Sequence, residues 1–104
     1  MQNKILNMLG LATRAGKLVS GEFSVENAIK EYKAYLCIVA EDASDNTKKL
    51  FRNKCDYYDV PIHICFEKEV LGHAIGKESR ASVAVLDEGF ANAITKLFDS
   101  MEVD

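Results

Sequence analysis

Three short, mainly apolar runs constrain the fold of this 104-residue chain more than any other feature, and the first of them shows no polar alternation. They are Leu36–Glu41 (LCIVAE), Ile62–Phe66 (IHICF) and Ala81–Leu86 (ASVAVL), and each has the length of a strand. A continuous apolar strand is covered on both faces, which places Leu36–Glu41 in the middle of a sheet. Segments with helical periodicity separate the runs. The chain is therefore predicted to be α/β, with helices on both faces of a sheet.

The helical segments show apolar residues three and four positions apart, the spacing of one buried stripe. Helices are predicted at Asn3–Ala15, after Gly21 in the strand-turn-helix segment Lys17–Lys33, at Asp45–Tyr58, at Glu67–Ile75, and from Asp87 or Glu88 through Met101. Their predicted inward residues are Ile5, Leu9 and Ala12; Val25, Ala28, Ile29 and Tyr32; Leu50, Phe51, Cys55 and Tyr58; Val70, Leu71, Ala74 and Ile75; and Ala91, Ile94, Leu97, Phe98 and Met101.

Glycines and capping residues bound these elements. Gly16 and Gly76 follow helices, where they can adopt the left-handed backbone that ends a helix at little cost to glycine. Side-chain oxygens at a helix start can accept hydrogen bonds from its unpaired N–H groups. The candidate caps and turn residues are Ser20, Gly21 and Ser24 for the second helix, and Asp42 and Ser44 for the third.

Composition excludes several classes of protein. An apolar fraction of 48% suffices for one hydrophobic core, and we expect a single domain over residues 1–104. No apolar run approaches the ~20 residues of a bilayer span, and no signal-peptide pattern is present, so a cytoplasmic protein is expected. The three cysteines form no CxxC pair and lie at no zinc-ligand spacing from the histidines, which predicts reduced thiols, no metal and no cofactor. Cys37 and Cys65 fall within apolar runs, so both are predicted to be buried and inert.

Charge is distributed unevenly along the chain. The net charge of −3 argues against a nucleic-acid partner. However, residues 1–54 hold nine basic and six acidic residues, whereas residues 55–104 hold four basic and ten acidic residues. Any basic face is therefore built mainly from the first half of the chain.

No catalytic motif is present. The chain lacks GxSxG, P-loop and GxGxxG sequences, and it is predicted not to be an enzyme. His63 and His73 are better explained as structural or surface residues than as catalytic ones. The acidic pair Glu41-Asp42 is better explained by a helix cap and a solvated carboxylate than by a metal site.

Two polar segments remain as candidates for a binding site. The first is the turn at Gly21, where a helix amino terminus offers unpaired N–H groups and partial positive charge to an anion such as a phosphate. Phe23 lies beside this turn and off the apolar stripe of the helix. The second segment is the polar loop Lys77–Arg80. An ordinary strand-to-helix turn remains the alternative explanation for the first segment.

Three stretches resemble the ribosomal-protein L7Ae/L30e type of kink-turn RNA binders. They are LCIVAEDAS, TKKLFRNKCDYYDVP and LGHAIGKESRASVAVLDEGFA. In that family a strand ending in Ala-Glu-Asp, a helix ending near a proline, and an LGxAxG helix followed by an Arg-Ala or Arg-Pro loop recur in this order. The resemblance covers residues 3–98, and within the family the chain is similar to the small bacterial YlxQ-type branch.

The resemblance implies a three-layer α-β-α sandwich around a four-stranded mixed sheet. It also implies RNA binding through the start of the second helix, here Gly21–Lys30, and through the loop before the last strand, here Gly76–Arg80. We expect these two segments to lie on the same edge of the molecule. The implied partner is structured RNA, with ribosomal RNA or a ribosome-associated RNA as candidates, and a monomer is expected.

The chain departs from the family at the start of the second helix. Members with well-formed kink-turn sites carry Gly-x-Asn-Glu-x-x-Lys there, and the Asn, Glu and Lys contact sheared G·A pairs. Here Phe23, Ser24 and Asn27 stand in those three places after Gly21. Phe23 can stack on an unpaired base, a contact worth ~1–3 kcal/mol, and Lys30 can restore the lost charge. We therefore expect altered or weakened kink-turn specificity.

The predicted RNA-binding residues combine both segments with nearby cations: Arg14, Lys17, Gly21, Phe23, Ser24, Asn27, Lys30, Lys77, Glu78, Ser79 and Arg80. In this interpretation the helix start contacts base edges and the loop holds the RNA backbone or an extruded base. Glu22 and Glu26 oppose the added positive charge. Two alternatives stay open: a protein-interaction module that kept the fold without RNA recognition, and a small-molecule or enzymatic role without a recognisable motif.

Overall fold

Helices and strands alternate along the chain in the predicted order. The computed structural model describes the backbone of residues 2–103 and the side chains of residues 4–100. The helices are α1 (Gln2–Arg14), α2 (Glu22–Lys30), α3 (Asp45–Tyr58), α4 (Lys68–Ala74) and α5 (Glu88–Val103). The strands are β1 (Leu18–Ser20), β2 (Leu36–Val39), β3 (Ile62–Ile64) and β4 (Ser82–Val85). The α/β class is confirmed.

The four strands form one mixed sheet in the order β1-β4-β2-β3, as the resemblance implies. β4 is antiparallel to β1 and β2, whereas β3 is parallel to β2. Ser20 pairs with Val83, and Val39 pairs with both Ser82 and Ile64. The carboxyl ends of β1, β2 and β3 and the amino end of β4 therefore share one edge, which we call the upper edge.

The two central strands are buried on both faces, as their continuous apolar sequences predict. Every residue of β2 and β4 is buried. Helices α1, α4 and α5 pack together in one layer, with α1 in contact with both of the others, and α2 packs against α3 in the second layer. The predicted inward residues that are fully buried in these helices are Ile5, Leu9, Ala12, Val25, Ile29, Phe51, Leu71 and Ile94.

Helices α1, α2 and α4 end in the same hydrogen-bonded turn, the Schellman motif, and α3 also ends at a left-handed residue, Asp59, with φ 59°. After α1, the N–H of Gly16 donates to the Thr13 carbonyl and that of Lys17 donates to Ala12, and Gly16 has φ 70°. Gly76 fills the same position after α4 with φ 78°, so both predicted glycine stops are confirmed. Tyr32 fills it after α2 with φ 60°, although a side chain makes this backbone costly.

Several inward predictions are wrong. Tyr32 is 75% exposed because α2 ends at Lys30 and the left-handed residue turns away from the apolar stripe. Val70 is 39% exposed because it lines an open groove between α1 and α4. Cys65 is only half-buried because β3 ends one residue before it, at the edge of the sheet. Met101 lies outside the described side chains.

Of the two caps predicted for α3, one is confirmed and one is wrong. Ser44 caps α3, since its hydroxyl oxygen accepts from the N–H of Thr47 at 3.1 Å. Asp42 does not cap α3; its carboxylate accepts from the N–H of Lys68 at 2.8 Å and so satisfies the start of α4. Ser24 lies inside the first turn of α2, and Gly21 precedes that helix without any side-chain capping bond. The amino terminus of α2 therefore keeps its N–H groups uncapped by side chains.

Candidate nucleic-acid interface

The turn at Gly21 lies at the upper edge, between β1 and α2. Gly21 has φ 92° and ψ 151°, a backbone conformation open mainly to glycine. Its N–H donates to the Ser82 carbonyl at 3.0 Å, and its carbonyl accepts from Val25 at 3.0 Å. A Cβ at Gly21 would meet no atom within 4 Å, so the need for glycine is conformational and not steric. The turn thus joins the start of α2 to the first residue of β4.

Arg80 connects the loop before β4 to this turn. Its Nε donates to the Ser20 hydroxyl at 3.0 Å, and its Nη1 donates to the Ser79 carbonyl at 2.7 Å. Ser20 therefore holds Arg80 in place. It does not cap α2, although the sequence had suggested it as a candidate cap. Because Gly21 follows Ser20 directly, the two segments that we expected on one edge lie next to each other.

Helix α4 supports the loop Lys77–Arg80 at both ends. The N–H of Lys77 donates to the Gly72 carbonyl at 2.9 Å, and that of Arg80 donates to the Lys68 carbonyl at 3.0 Å. Gly72 lies so close to the loop that a Cβ there would be 2.5 Å from Ser79 Cα. Sequence reasoning missed this role of Gly72. The available signal was a glycine inside a helical pattern, which marks a close backbone approach.

The exposed side chains of α2 lie along one side of that helix. Phe23 is 78% exposed, which confirms its predicted place off the apolar stripe. Asn27 follows four residues later and is half-buried, so the two side chains are neighbours on the helix surface. Ser24 is also exposed, in the first turn. An aromatic ring and two short polar groups are therefore available beside the uncapped helix start.

A cation from α3 offsets one of the acids of α2. Lys54 Nζ lies 3.8 Å from the Glu26 carboxylate, and both side chains are mostly buried. The sequence prediction counted Glu26 as opposing RNA, and it could not show that a residue from another helix neutralises the carboxylate. The surface between Phe23 and Asn27 is therefore less negative than the sequence of α2 suggests.

The predicted cations do not all gather at the upper edge. The Lys17 carbonyl accepts from the Leu86 N–H at 2.8 Å, beyond the other end of β1 and β4. Lys30 is the last residue of α2, ~12 Å along the axis from Glu22 at the helical rise of ~1.5 Å per residue. Arg14 lines the groove between α1 and α4. The upper edge itself brings together Gly21, Phe23, Ser24, Lys77, Glu78, Ser79 and Arg80.

The histidines and cysteines have structural surroundings. His63 stacks on Phe98 with ring centroids 4.0 Å apart. A hydrogen bond from Cys37 to the Cys55 sulfur, together with burial, raises the pKa of the Cys37 thiol, and the same bond lowers the pKa of Cys55. Burial raises the pKa of Cys65. Within the described part of the chain, no three metal-ligating side chains are grouped to hold an ion, and no helix is long and apolar enough to cross a membrane.

These features define an α-β-α sandwich that presents a glycine turn and an arginine loop together at one sheet edge. The chain belongs to the Ribosomal protein L7Ae/L30e/S12e/Gadd45 family, whose model matches residues 3–95. The membership expected from the sequence is confirmed, and so is its branch.

Several related proteins align with most of the chain. It is 50% identical over 92 residues to the RNA-binding protein YlxQ of Bacillus subtilis (strain 168), a match that spans 88% of this chain and 92% of the relative. The RNA-binding protein YlxQ of Enterococcus faecium is 40% identical, with 94% of each chain covered. The large ribosomal subunit protein eL8 of Cenarchaeum symbiosum (strain A) is 30% identical over 88% of this chain and 74% of its own length. The prediction that the chain is not an enzyme agrees with this family.

Solved structures agree with the fold. A protein of unknown function from Bacillus halodurans C superposes with a TM-score of 0.89 at 38% identity, covering 92% of this chain and 97% of its own. The Giardia lamblia 15.5kD RNA binding protein gives a TM-score of 0.81 at 19% identity, covering 98% and 88%. The second match supports the fold alone, and it confirms the sandwich with a four-stranded mixed sheet.

Proposed function

We propose that the chain is a non-catalytic RNA-binding protein of ribosomal type, which binds structured, kink-turn-like RNA at its upper edge with altered or weakened specificity. One observation carries the proposal: the hydrogen bond from Arg80 to Ser20 holds the loop beside the Gly21 turn. Two relatives named RNA-binding protein and a ribosomal relative support it.

The helix start supplies anion contacts without a side-chain cap. The first intrahelical bond of α2 runs from the Val25 N–H to the Gly21 carbonyl, so the N–H groups of the preceding turn face outward. They carry the partial positive charge of the helix dipole, which favours a phosphate or a base carbonyl at this position. A glycine in place of a larger capping residue lets an RNA backbone approach closely.

Phe23 changes how a base is held. With 78% of its surface exposed, the ring can stack on an unpaired base, whatever the identity of that base. Ser24 and Asn27 can donate and accept hydrogen bonds, but neither supplies the carboxylate or the cation that stands there in well-formed kink-turn sites. Recognition therefore depends more on an extruded base and less on the sheared pairs, which is the basis of the altered specificity.

The loop Lys77–Arg80 offers a different set of contacts. Lys77, Glu78 and Ser79 are exposed, whereas Arg80 is half-buried and already engaged with Ser20. Lys77 is thus the freest cation of the loop for a phosphate, and Arg80 serves mainly to position the loop. Because few cations lie at this edge, we expect a shallow dependence of affinity on salt.

A salt titration with two RNAs tests the proposal. A kink-turn RNA and a plain duplex of equal length are titrated against the wild type and three variants by fluorescence anisotropy. Lys77→Ala should weaken both RNAs and flatten the logarithmic salt slope by roughly one contact. Phe23→Ala should weaken the kink-turn RNA by about 5- to 150-fold and leave the slope unchanged. Lys96→Ala, an exposed lysine of α5, is the charge-matched control and should change neither.

The protein-interaction module is the second candidate, and acidic side chains favour it. Asp42, Glu69 and Glu78 line a shallow depression with Lys68 and Ser79 at the upper edge. These carboxylates repel phosphates and suit a basic protein surface instead. Equally negligible binding of both RNAs at low salt would exclude the RNA proposal and favour this candidate.

A further inference from the structure

Three tyrosines form an exposed cluster where α2 and α3 end. The ring of Tyr32 meets Tyr58 edge to face with centroids 5.4 Å apart, and Tyr58 meets Tyr57 in the same way at 4.8 Å. Tyr57 is 80% exposed and Tyr32 is 75% exposed, whereas Tyr58 packs against the hydrophobic core. The half-buried ring therefore supports two open ones. We call Tyr32, Tyr57 and Tyr58 the tyrosine cluster.

Tyr32 has a backbone conformation that is unusual for a residue with a bulky side chain. Tyr32 occupies the left-handed position of a Schellman turn, where the equivalent turns after α1 and α4 have Gly16 and Gly76. A bulky residue there costs conformational energy that glycine avoids. Asp59 and Phe66 also have positive φ, at 59° and 70°, so the backbone alone assigns no role to Tyr32, and the exposure of its ring carries the argument.

Amino groups lie beside the rings. Lys54 and Asn53 share a shallow groove with Tyr57 and Tyr58 on α3. Lys33 follows Tyr32, with its Nζ 3.1 Å from Glu31, and both of these side chains are well exposed. Both lysines already pair with a carboxylate, Lys54 with Glu26 and Lys33 with Glu31, so a phosphate beside a stacked base would share each ammonium group with that carboxylate.

Carboxylates balance much of that charge. Asp56 and Asp59 are exposed near the end of α3, and Glu31 already pairs with Lys33. Binding at the cluster therefore depends mainly on ring stacking, with little contribution from net charge.

Helix α2 connects the cluster to the upper edge. Tyr32 lies two residues beyond the end of this nine-residue helix, which spans ~13 Å at the usual rise. Phe23, Asn27 and Lys30 are spaced four and three residues apart, so they follow one side of the helix between the two places. A strand that leaves the upper edge along this side reaches the cluster within a few nucleotides.

We propose that the tyrosine cluster is a second RNA contact, a stacking platform for unpaired nucleotides that extend from the RNA held at the upper edge. The inference rests on the proposed function, because it assumes that RNA occupies that edge. Every base has a π-face, so the platform selects unpaired RNA without selecting its sequence. An RNA partner is favoured over a protein here because the exposed side of α2, with Phe23, Asn27 and Lys30, runs from the proposed site to the cluster.

Two RNAs that share one kink-turn core test the platform. One is blunt at both ends, and the other carries a short unpaired extension at each end. The wild type should bind the extended RNA more tightly, and Tyr57→Ala should weaken binding of that RNA alone by about 5- to 150-fold. Tyr35→Ala is the matched control, since Tyr35 is 47% exposed and lies outside the cluster. Quenching of tyrosine fluorescence by the extended RNA gives a second readout, because the chain has no tryptophan.

Tyr32→Gly separates folding from binding. Glycine relieves the left-handed backbone and so offsets the lost contact with Tyr58, and this variant should melt close to the wild-type temperature. It should nevertheless lose affinity for the extended RNA, which a purely structural role of Tyr32 does not predict.

The possible failures are distinguishable. Blunt and extended RNA bound equally well by the wild type, with Phe23→Ala weakening both, would overturn the platform and leave the proposed function intact. Absence of binding to either RNA at low salt would overturn both. Unchanged RNA affinity in Tyr57→Ala, together with loss of a protein partner, would overturn the platform and assign the cluster to a protein.

Discussion

Replacing Gly72 with alanine tests whether the loop Lys77–Arg80 depends on its close contact with α4. The new Cβ would lie 2.5 Å from Ser79 Cα and 2.8 Å from Ser79 N and C, all of them backbone atoms. Since carbon atoms in contact prefer a separation of ~3.5–4.0 Å, the loop or the helix must move by about 1 Å. Such overpacking costs ~1–3 kcal/mol, while removing a helical glycine returns ~0.5–1 kcal/mol.

We therefore expect a net loss of up to ~2.5 kcal/mol in unfolding free energy, measured by denaturant titration. Because the loop carries Arg80, affinity for kink-turn RNA should fall under conditions where the variant is fully folded. Gly89→Ala is the control: its Cβ meets only Asp87 Oδ2, at 3.2 Å, and stability should change by less than ~1 kcal/mol. Wild-type stability and RNA affinity in Gly72→Ala would refute the proposed dependence of the loop on α4.

Three further predictions concern single side chains. Ser20→Ala removes the hydroxyl that accepts from Arg80, so the unfolding free energy should fall by ~1 kcal/mol. RNA affinity should fall as well; unchanged affinity would show that this bond does not position the loop. Ser82→Ala should leave stability unchanged or raise it by up to ~1 kcal/mol, because the buried Ser82 hydroxyl has no hydrogen-bond partner among the described residues; a clear loss in denaturant titration would contradict this. Native-state alkylation followed by mass spectrometry should label Cys65 before Cys37, because Cys65 is half-buried and Cys37 is buried. Burial raises the pKa of Cys65, so its labelling rate should rise at a more alkaline pH than that of an exposed thiol. Faster labelling of Cys37 would contradict its burial.

Most of the fold could be predicted because its signals are local. Continuous apolar runs mark β2 and β4, and the bounds predicted for α3, Asp45–Tyr58, match the structure at both ends. Ser44 and the flanking turn residues fix that helix through contacts within three or four positions. The end of α2 was not predictable in this way. A tyrosine occupies the position where a glycine usually signals the end of a helix. The apolar periodicity therefore extends through Tyr32, although the helix ends before it.

The candidate site was less predictable because it depends on contacts between distant residues. The bond between Arg80 and Ser20 joins positions 60 apart, and the pair Glu26–Lys54 joins two helices. Periodicity and spacing carry no information on such pairs. The resemblance indicated the two segments. Their contacts, and the position of Lys17 at the opposite edge of the sheet, follow only from the three-dimensional structure.

An NMR titration of backbone amides with kink-turn RNA tests directly whether RNA binds at the upper edge. We expect the largest shift changes at residues 21–24 and 77–80, with smaller ones along the exposed side of α2. The same titration of the Phe23→Ala variant should reduce the changes at both segments. Shift changes confined to α1 and α5, or none at saturating RNA concentration, would contradict RNA binding at the upper edge.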